Sequence, residues 1–207
     1  MKITKSTFLK SITSYDNRNL DPLPEVAFIG RSNVGKSSMI NRLVMQKIAR
    51  TSSTPGRTRS INLYKIDYEF KNAKRSFYIS DFPGFGYSKV SKSIYQGWQE
   101  MIEHYILENR NIKRLVWLFD VRRDLDVLDD MLIEWLEANK LPYTLVLTKT
   151  DKENRNFVAN KKRFFSKVVG ETILTFSSKT GEGRETLLAH IADAATGYLS
   201  PDTGPNH

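Results

Sequence analysis

The sequence predicts an α/β domain of three layers: a mostly parallel six-stranded sheet with one antiparallel edge strand and helices on both faces. Three observations carry this. Short apolar runs alternate with helix-spaced segments along most of the chain, the pattern of a parallel sheet covered on both sides. A glycine-rich loop joins the first of those runs to the first helical segment. The chain has 207 residues, enough for one ordinary domain with a real core.

Residues 1–21 read as an N-terminal extension, closed by the turn residues of "DPLP", and residues 22–196 as the domain. Glu25 to Ile29 is a short buried strand. "KSSMINRLV" places Met39, Ile40, Leu43 and Val44 at helical spacing. "ARTSSTPGRTRS" is polar, holds Pro55 and Gly56, and reads as a loop. "INLYKIDYEF" alternates as a half-buried strand does, and "RSFYIS" follows through the basic hairpin "KNAKR". "DFPGFGYSKV" breaks regular structure. "IYQGWQEMIEHYILENR" is helical, weakened at its start by Gly97. "LVWLFD" and "YTLVLTK" are buried strands on either side of the amphipathic helix "LDVLDDMLIEWLEANK". "NFVANKKRFFSKVV" is a helix with a basic face, "TILTFSS" the last strand and "GRETLLAHIADAA" the last helix. Residues 197–207, with two prolines, read as a loose tail.

At 40% hydrophobic and 27% charged, the chain reads as soluble and globular. No apolar run reaches the length of a membrane span, and the first residues lack the pattern of a secretory signal. There is no cysteine, which excludes disulfides and thiolate metal sites and makes the cytoplasm the expected compartment. A net charge of +9 favours an anionic partner. The cations cluster as Lys2, Lys5 and Lys10; Arg57 and Arg59; Lys71, Lys74 and Arg75; and Lys161, Lys162, Arg163 and Lys167. Each cluster could meet RNA phosphates, and each taken singly also reads as a solvated face. Trp98, Trp117 and Trp135 fall on regular elements and read as core rather than as stacking platforms. No RNA-binding module signature is visible.

Gly30 to Ser37 fits G-x-x-x-x-G-K-[ST] between strand and helix. The glycines let the backbone curl so that its N–H groups face phosphate oxygens. Lys36 reaches the β and γ phosphates, Ser37 offers a hydroxyl to Mg²⁺, and the helix adds its positive end. "DFPG" (Asp81, Phe82, Pro83, Gly84) ends a strand, where a carboxylate can hold Mg²⁺ through water and a glycine N–H can meet the γ phosphate. "TKTD" (Thr148, Lys149, Thr150, Asp151) ends another. Its Asp151 can accept from the N1–H and exocyclic amine of guanine, and adenine would leave that carboxylate unpaired. Lys149 would lay its stem along the purine. "SSK" ends the last strand, where a backbone N–H could meet the guanine carbonyl. All four stretches fall at the carboxyl ends of predicted parallel strands, where such sheets bind ligands.

Taken together, "GRSNVGKSS", "TPGRT", "DFPGFGY", "TKTDK" and "FSSKTGEG" resemble the EngB (YihA/YsxC) family of bacterial ribosome-biogenesis GTPases, within the translation-factor class, over about Leu20 to Ala195. The resemblance implies a P-loop GTPase domain. It implies a monomeric GTP/GDP switch, without a membrane role, that binds rRNA or the large-subunit precursor, assists its assembly and has a link to cell division or septation. Gly30, Arg31, Ser32, Asn33, Val34, Gly35, Lys36, Ser37 and Ser38 would hold phosphates. Gly56, Arg57, Thr58, Arg59 and Ser60 would form the first switch, and Asp81, Phe82, Pro83 and Gly84 would sense the γ phosphate. Thr148 to Asp151 with Phe176, Ser177 and Ser178 would hold guanine. Ser37 and Thr58 are the expected Mg²⁺ ligands, with Thr54 the alternative to Thr58. Lys36, Thr58 and Gly84 are the expected catalytic groups.

Three positions depart from the common pattern. Thr150 stands where alanine is commoner. Thr148 replaces the asparagine usual in GTPases at large, though this family often has threonine, and its shorter side chain is expected to bridge less well to the phosphate loop. Phe85 stands where many GTPases place a water-orienting glutamine, so a low intrinsic rate is expected. Asn33 is a candidate for holding K⁺ near the phosphates, and equally for merely bracing the loop. Arg57 and Arg59 rank lower as internal fingers. Other readings are a GTPase of another cellular process, a nucleotide kinase, or an RNA-binding protein with a fortuitous loop. The first usually carries extra domains, and the second leaves "TKTD" unexplained.

Overall fold

The computed structural model describes residues 1–12, 20–50, 60–85, 100, 102–169 and 172–197. Its sheet has seven strands in the order β1-β3-β4-β2-β5-β6-β7. The strands are β1 (Lys2–Ile12), β2 (Glu25–Gly30), β3 (Ile61–Phe70), β4 (Ala73–Asp81), β5 (Ile112–Asp120), β6 (Tyr143–Thr148) and β7 (Ile173–Phe176). Helices α1 (Lys36–Val44), α3 (Val127–Ala138), α4 (Arg155–Val168) and α5 (Arg184–Thr196) connect them. Residues 102–108 form a further helix, α2.

β4, β2, β5, β6 and β7 run parallel. Every residue of β2 and of β6 is buried, as strands covered on both faces require. β3 and β4 form a hairpin whose turn residues, Lys71 and Asn72, both have positive φ, 49° and 61°. That conformation matches the right-handed twist of the strands it joins.

The expected strand count is corrected from six to seven: β3 alone runs against the others, and it lies one place in from the edge, which β1 occupies. Lys2–Ile12 is an eleven-residue strand, not an extension, and pairs antiparallel with β3 along the sheet edge. Its register shifts between Ile3 and Lys5 and again between Phe8 and Lys10. Two such irregularities break the two-residue repeat by which an edge strand would otherwise be read.

The core has two layers. On one face, Val26, Phe28, Tyr64, Ile66, Ile79, Val116 and Leu118 pack against Met39, Ile40 and Leu43 of α1 and Leu187, Leu188 and Ile191 of α5. On the other, Ala27, Ile29, Leu115, Trp117, Phe119, Leu145 and Leu147 meet Tyr105 and Ile106 of α2, Ile133 and Leu136 of α3, and Phe165 of α4. Odd and even positions of each strand divide between the layers, as the pleat dictates.

Trp117 is fully buried, with rings of Phe119, Tyr143 and Phe165 at 6.1, 6.4 and 6.5 Å. It is core, as expected. Trp135 is partly buried, and Trp98 lies outside the described residues. The indole N–H of Trp117 is buried without a hydrogen-bond partner among the described residues. Trp117→Ala should therefore cost about 3–5 kcal/mol in urea unfolding, through the cavity it leaves. Trp117→Phe should cost under about 2 kcal/mol, because the lost N–H was satisfying nothing.

Candidate functional site

Parallel strands all end on one side of the sheet, so the loops after β2, β4, β6 and β7 converge there. β2 lies between β4 and β5: the chain leaves β2 through α1 for β3 on one side, returns along β4, and then crosses to β5 on the other side. The loop after β2 sits at that crossing point.

The loop Gly30 to Gly35 curls tightly. Val34 N–H donates to the Arg31 carbonyl at 3.2 Å, and Asn33 and Gly35 have φ of 63° and 105°. α1 begins at Lys36 with no side-chain cap and no acidic residue in its first turn. Its free N–H groups and positive end face the loop, an arrangement that suits an anion. Lys36 is 9% exposed. Among the described residues its ammonium makes one hydrogen bond, a long one of 3.4 Å to the Gly30 carbonyl.

Asp81, at the end of β4, is 6% exposed. Burial pushes the Lys36 ammonium below its ordinary value and the Asp81 carboxyl above its own, and the opposite charge of each partly offsets the shift in the other. The Ser37 hydroxyl lies 3.4 Å from Asp81 Oδ2, and Oδ1 is buried without a partner among the described residues. This hydroxyl and carboxylate, oxygen donors beside a phosphate-sized cradle, fit Mg²⁺, which takes few protein ligands and fills its shell with phosphates and water.

The residues after Asp81 lie against the phosphate loop. Phe85 N–H donates to Gly30 O at 3.3 Å, and Ser32 N–H donates to Phe85 O at 3.0 Å. A Cβ on Gly84 would stand 2.7 Å from Ser32 Cα, so only glycine allows this approach. The Phe85 ring is 8% exposed, with the Arg31 guanidinium 5.8 Å from its centroid. Arg31 also pairs with Asp126 at 2.8 Å. Asp126 caps α3, and Arg123 bonds both Asp126 and Asp129, at 3.0 and 2.9 Å. The phosphate loop is thus tied to the first turn of α3.

The loop after β6 crosses the same cradle. The Thr148 hydroxyl donates to Val34 O at 3.0 Å and lies 3.2 Å from Phe119 O. The expectation of a poorer bridge is corrected, because the β6 backbone comes close enough for a short side chain to span the gap. Lys149, with φ of 59°, sends its ammonium to Asn33 O at 2.7 Å and to Asp120 Oδ2 at 3.0 Å. Asp120 also accepts two bonds from the Arg122 guanidinium, at 2.9 and 2.7 Å. Burial pushes the Asp120 carboxyl up, but these bonds from Arg122 and Lys149 outweigh it and hold the group at about 2.

Asp151 is oriented by Ser177, whose hydroxyl donates to Asp151 Oδ1 at 2.7 Å and accepts Thr180 N–H at 3.1 Å. Ser177 N–H is taken by Glu182 O at 3.0 Å, within the loop after β7. The backbone contact expected there is therefore not offered by Ser177, and its hydroxyl acts on the carboxylate instead. Val34, Phe82 and Phe176 are at most 3% exposed, which leaves only their backbones for a ligand. Pro83 is buried, Thr150 is buried, and Ser32 and Ser178 are half-buried. Asn33 and Ser38 are exposed, and Ser60 is half-buried beside β3. Gly56, Arg57, Thr58, Arg59 and the alternative Thr54 lie outside the described residues.

Three features escaped the sequence reading: the Asp120–Lys149 pair, the Ser177 hydroxyl on Asp151, and the Arg31–Asp126 tether. For Asp120 a signal existed, since it ends the apolar run "LVWLFD" as Asp81 ends its own strand.

A sequence profile described as "50S ribosome-binding GTPase" matches residues 25–149. A protein of Pelotomaculum thermopropionicum named "Probable GTP-binding protein EngB" is 41% identical over 92% of this chain and 96% of its own. A protein of the same name from Aquifex aeolicus is 40% identical over 81% of this chain and 89% of its own. A crystal structure of a protein also named as a probable GTP-binding protein engB has a TM-score of 0.64 and 27% identity. It covers 84% of this chain and 100% of its own.

Asp120→Asn should lower stability at neutral pH by about 1–2 kcal/mol. The held-down carboxyl contributes stability above the ordinary aspartate value of about 4, and that contribution is lost as pH falls through about 2. Urea midpoints measured down this acid limb should fall more steeply for the wild type than for the variant. Parallel curves would contradict the assignment.

Proposed function

The chain belongs to the EngB family of GTP-binding proteins, and from that premise we propose that it is a nucleotide-dependent switch that binds ribosomal particles and assists assembly of the large subunit. The observation that supports this reading best is the Ser177–Asp151 pair beside Lys149. It is a carboxylate held in one orientation next to an ammonium stem that crosses the phosphate loop.

Binding and hydrolysis of GTP are the activity of the family. In this chain the curled backbone over Gly30 to Ser38 and the buried Lys36 would take the phosphates. Lys36 would be the charge nearest the transferring group: burial makes its field strong, and among the described residues its ammonium makes only one long hydrogen bond. Mg²⁺, when bound, draws charge from the phosphoryl oxygens, and Ser37 and Asp81 are the described residues that would hold it, with Thr58 as the further ligand. Gly84 would turn its N–H to the γ phosphate, and its position against Ser32 gives it a short reach. Asp151 would read guanine by its N1–H and amine. The Ser177 hydroxyl occupies one side of Oδ1 and so fixes the direction in which the carboxylate accepts.

A phenyl ring buried under Arg31 cannot orient water, and Phe85 therefore fits a slow intrinsic rate. Asn33, exposed at the rim of the loop, keeps its candidate role toward K⁺. The net charge of +9 supports an RNA-rich partner. Among the described residues no helix is long and apolar enough to cross a membrane.

GTP and GDP should bind, and ATP should compete at least roughly 100-fold more weakly, because adenine leaves Asp151 unpaired. Asp151→Asn should lose affinity for GTP by a similar factor while gaining xanthosine triphosphate, whose carbonyl can accept from the new amide. Equal binding of GTP and ATP to the wild type would remove the reading. The partner is tested by sedimentation with purified large subunits. Co-migration should be stronger with a non-hydrolysable GTP analogue than with GDP, and no co-migration in either state would refute ribosome binding.

A further inference from the structure

α4 is unusual among the helices of this fold in how little of it is covered. Of its fourteen residues only Phe165 is fully buried, with Val158 and Lys161 partly so. It carries five cations, Arg155, Lys161, Lys162, Arg163 and Lys167, and no acid. Lys161 pairs with Asp124 at 2.7 Å. The other four make no ion pair among the described residues. Phe157, Phe164 and Val168 are 38%, 48% and 37% exposed. At about 100° per residue these three share one narrow stripe, and Asn160, Arg163 and Lys167 follow it on the solvent side. One edge of Phe164 rests on Phe165 at 5.4 Å, so the phenyl ring is braced.

From this arrangement we propose that the outward shoulder of α4 is an RNA-docking surface, which receives phosphates on Arg163 and Lys167 and unstacked bases on Phe157 and Phe164. The proposal rests on the ribosome-binding reading and names the face that makes the contact. Rings seven residues apart on a helix stand about 10 Å apart along its axis, far enough to receive two different bases. Base–aromatic stacking flanked by cations is the general chemistry of strand binding without sequence preference.

The other basic clusters are less suited. On the sheet edge Lys2 stands opposite Glu69 and Lys5 opposite Asp67, and Glu69 also faces Lys74 in the next strand. There Lys2, Lys5 and Lys74 each meet an acid across the ladder, which partly neutralises the patch, while Lys10 stands opposite Leu63 and Arg75 opposite Tyr68. Arg57 and Arg59 lie outside the described residues. An anionic membrane is the rival occupant, since basic amphipathic helices also bind headgroups. It is disfavoured because the broad apolar side that such a helix must submerge is here the side already packed on the sheet, at Val158 and Phe165.

The test uses the full chain, once with a non-hydrolysable GTP analogue bound and once with GDP, and three probes: a short unstructured uridine-rich RNA, purified large ribosomal subunits, and phosphatidylglycerol vesicles. The variants are Phe157→Ala with Phe164→Ala, and Arg163→Glu with Lys167→Glu. Lys5→Glu with Lys74→Glu serves as the control on the sheet edge. Each α4 pair should weaken RNA and subunit binding about tenfold or more, and the charge pair should also flatten its salt dependence. The control should change it less than threefold. GDP affinity should stay at the wild-type value throughout, which reports an intact fold. If the wild type binds subunits and the α4 variants bind them equally well, this inference fails while the ribosome reading stands. If the wild type binds neither subunits nor RNA, both fail. Capture by vesicles but not by RNA would assign the face to a membrane and overturn the proposal.

Discussion

A lysine ammonium buried at the positive end of a helix is the constraint on which the site depends. Burial disfavours the charge of Lys36, and the N-terminus of α1 disfavours it further. Asp81 relieves it in part, yet Asp81 is itself buried and keeps an oxygen with no partner among the described residues. The arrangement persists because the sheet over-determines it. β2 and β4 lie side by side in the middle of the sheet, and their ends cannot separate without disrupting both core layers. An anion with its counter-cation resolves both mismatches at once, which is the physical sense in which the fold is built around a phosphate chain.

The rest of the site is arranged to keep that cradle in shape. Thr148 and Lys149 hold the loop from the β6 side, Phe85 from the β4 side, and Arg31 from α3. Asp120 has no place at the cradle itself, but it sets where the Lys149 ammonium rests. Ser177 does the same for Asp151. The groups expected to touch nucleotide are thus each positioned by a neighbour that need not touch it.

Much of this was legible from residues alone, for a reason of geometry. In a parallel sheet every strand end faces the same side, so a motif that closes an apolar run is placed in the site by topology before any contact is known. That logic placed Gly30 to Ser37, Asp81 to Gly84 and Thr148 to Asp151 at the carboxyl ends of parallel strands, which is where they lie. It missed β1, because two register irregularities erase the alternation between Lys2 and Ile12. It misjudged Thr148, because reach was inferred from side-chain length while the backbone separation decided it. It passed over Asp120 and the Ser177 hydroxyl, because pairs distant in sequence leave no local pattern. The aromatic stripe of α4 was hidden in the same way. Phe157, Phe164 and Phe165 look alike in the string, and only the packing shows that Phe165 alone turns inward.

The tether from Arg31 to Asp126 runs between side chains that are 19% and 44% exposed, so counter-ions reach it. The grip of Thr148 on the same loop is fully enclosed and indifferent to them. One flank of the cradle is therefore a rigid hinge and the other a spring whose stiffness follows the ionic strength of the medium.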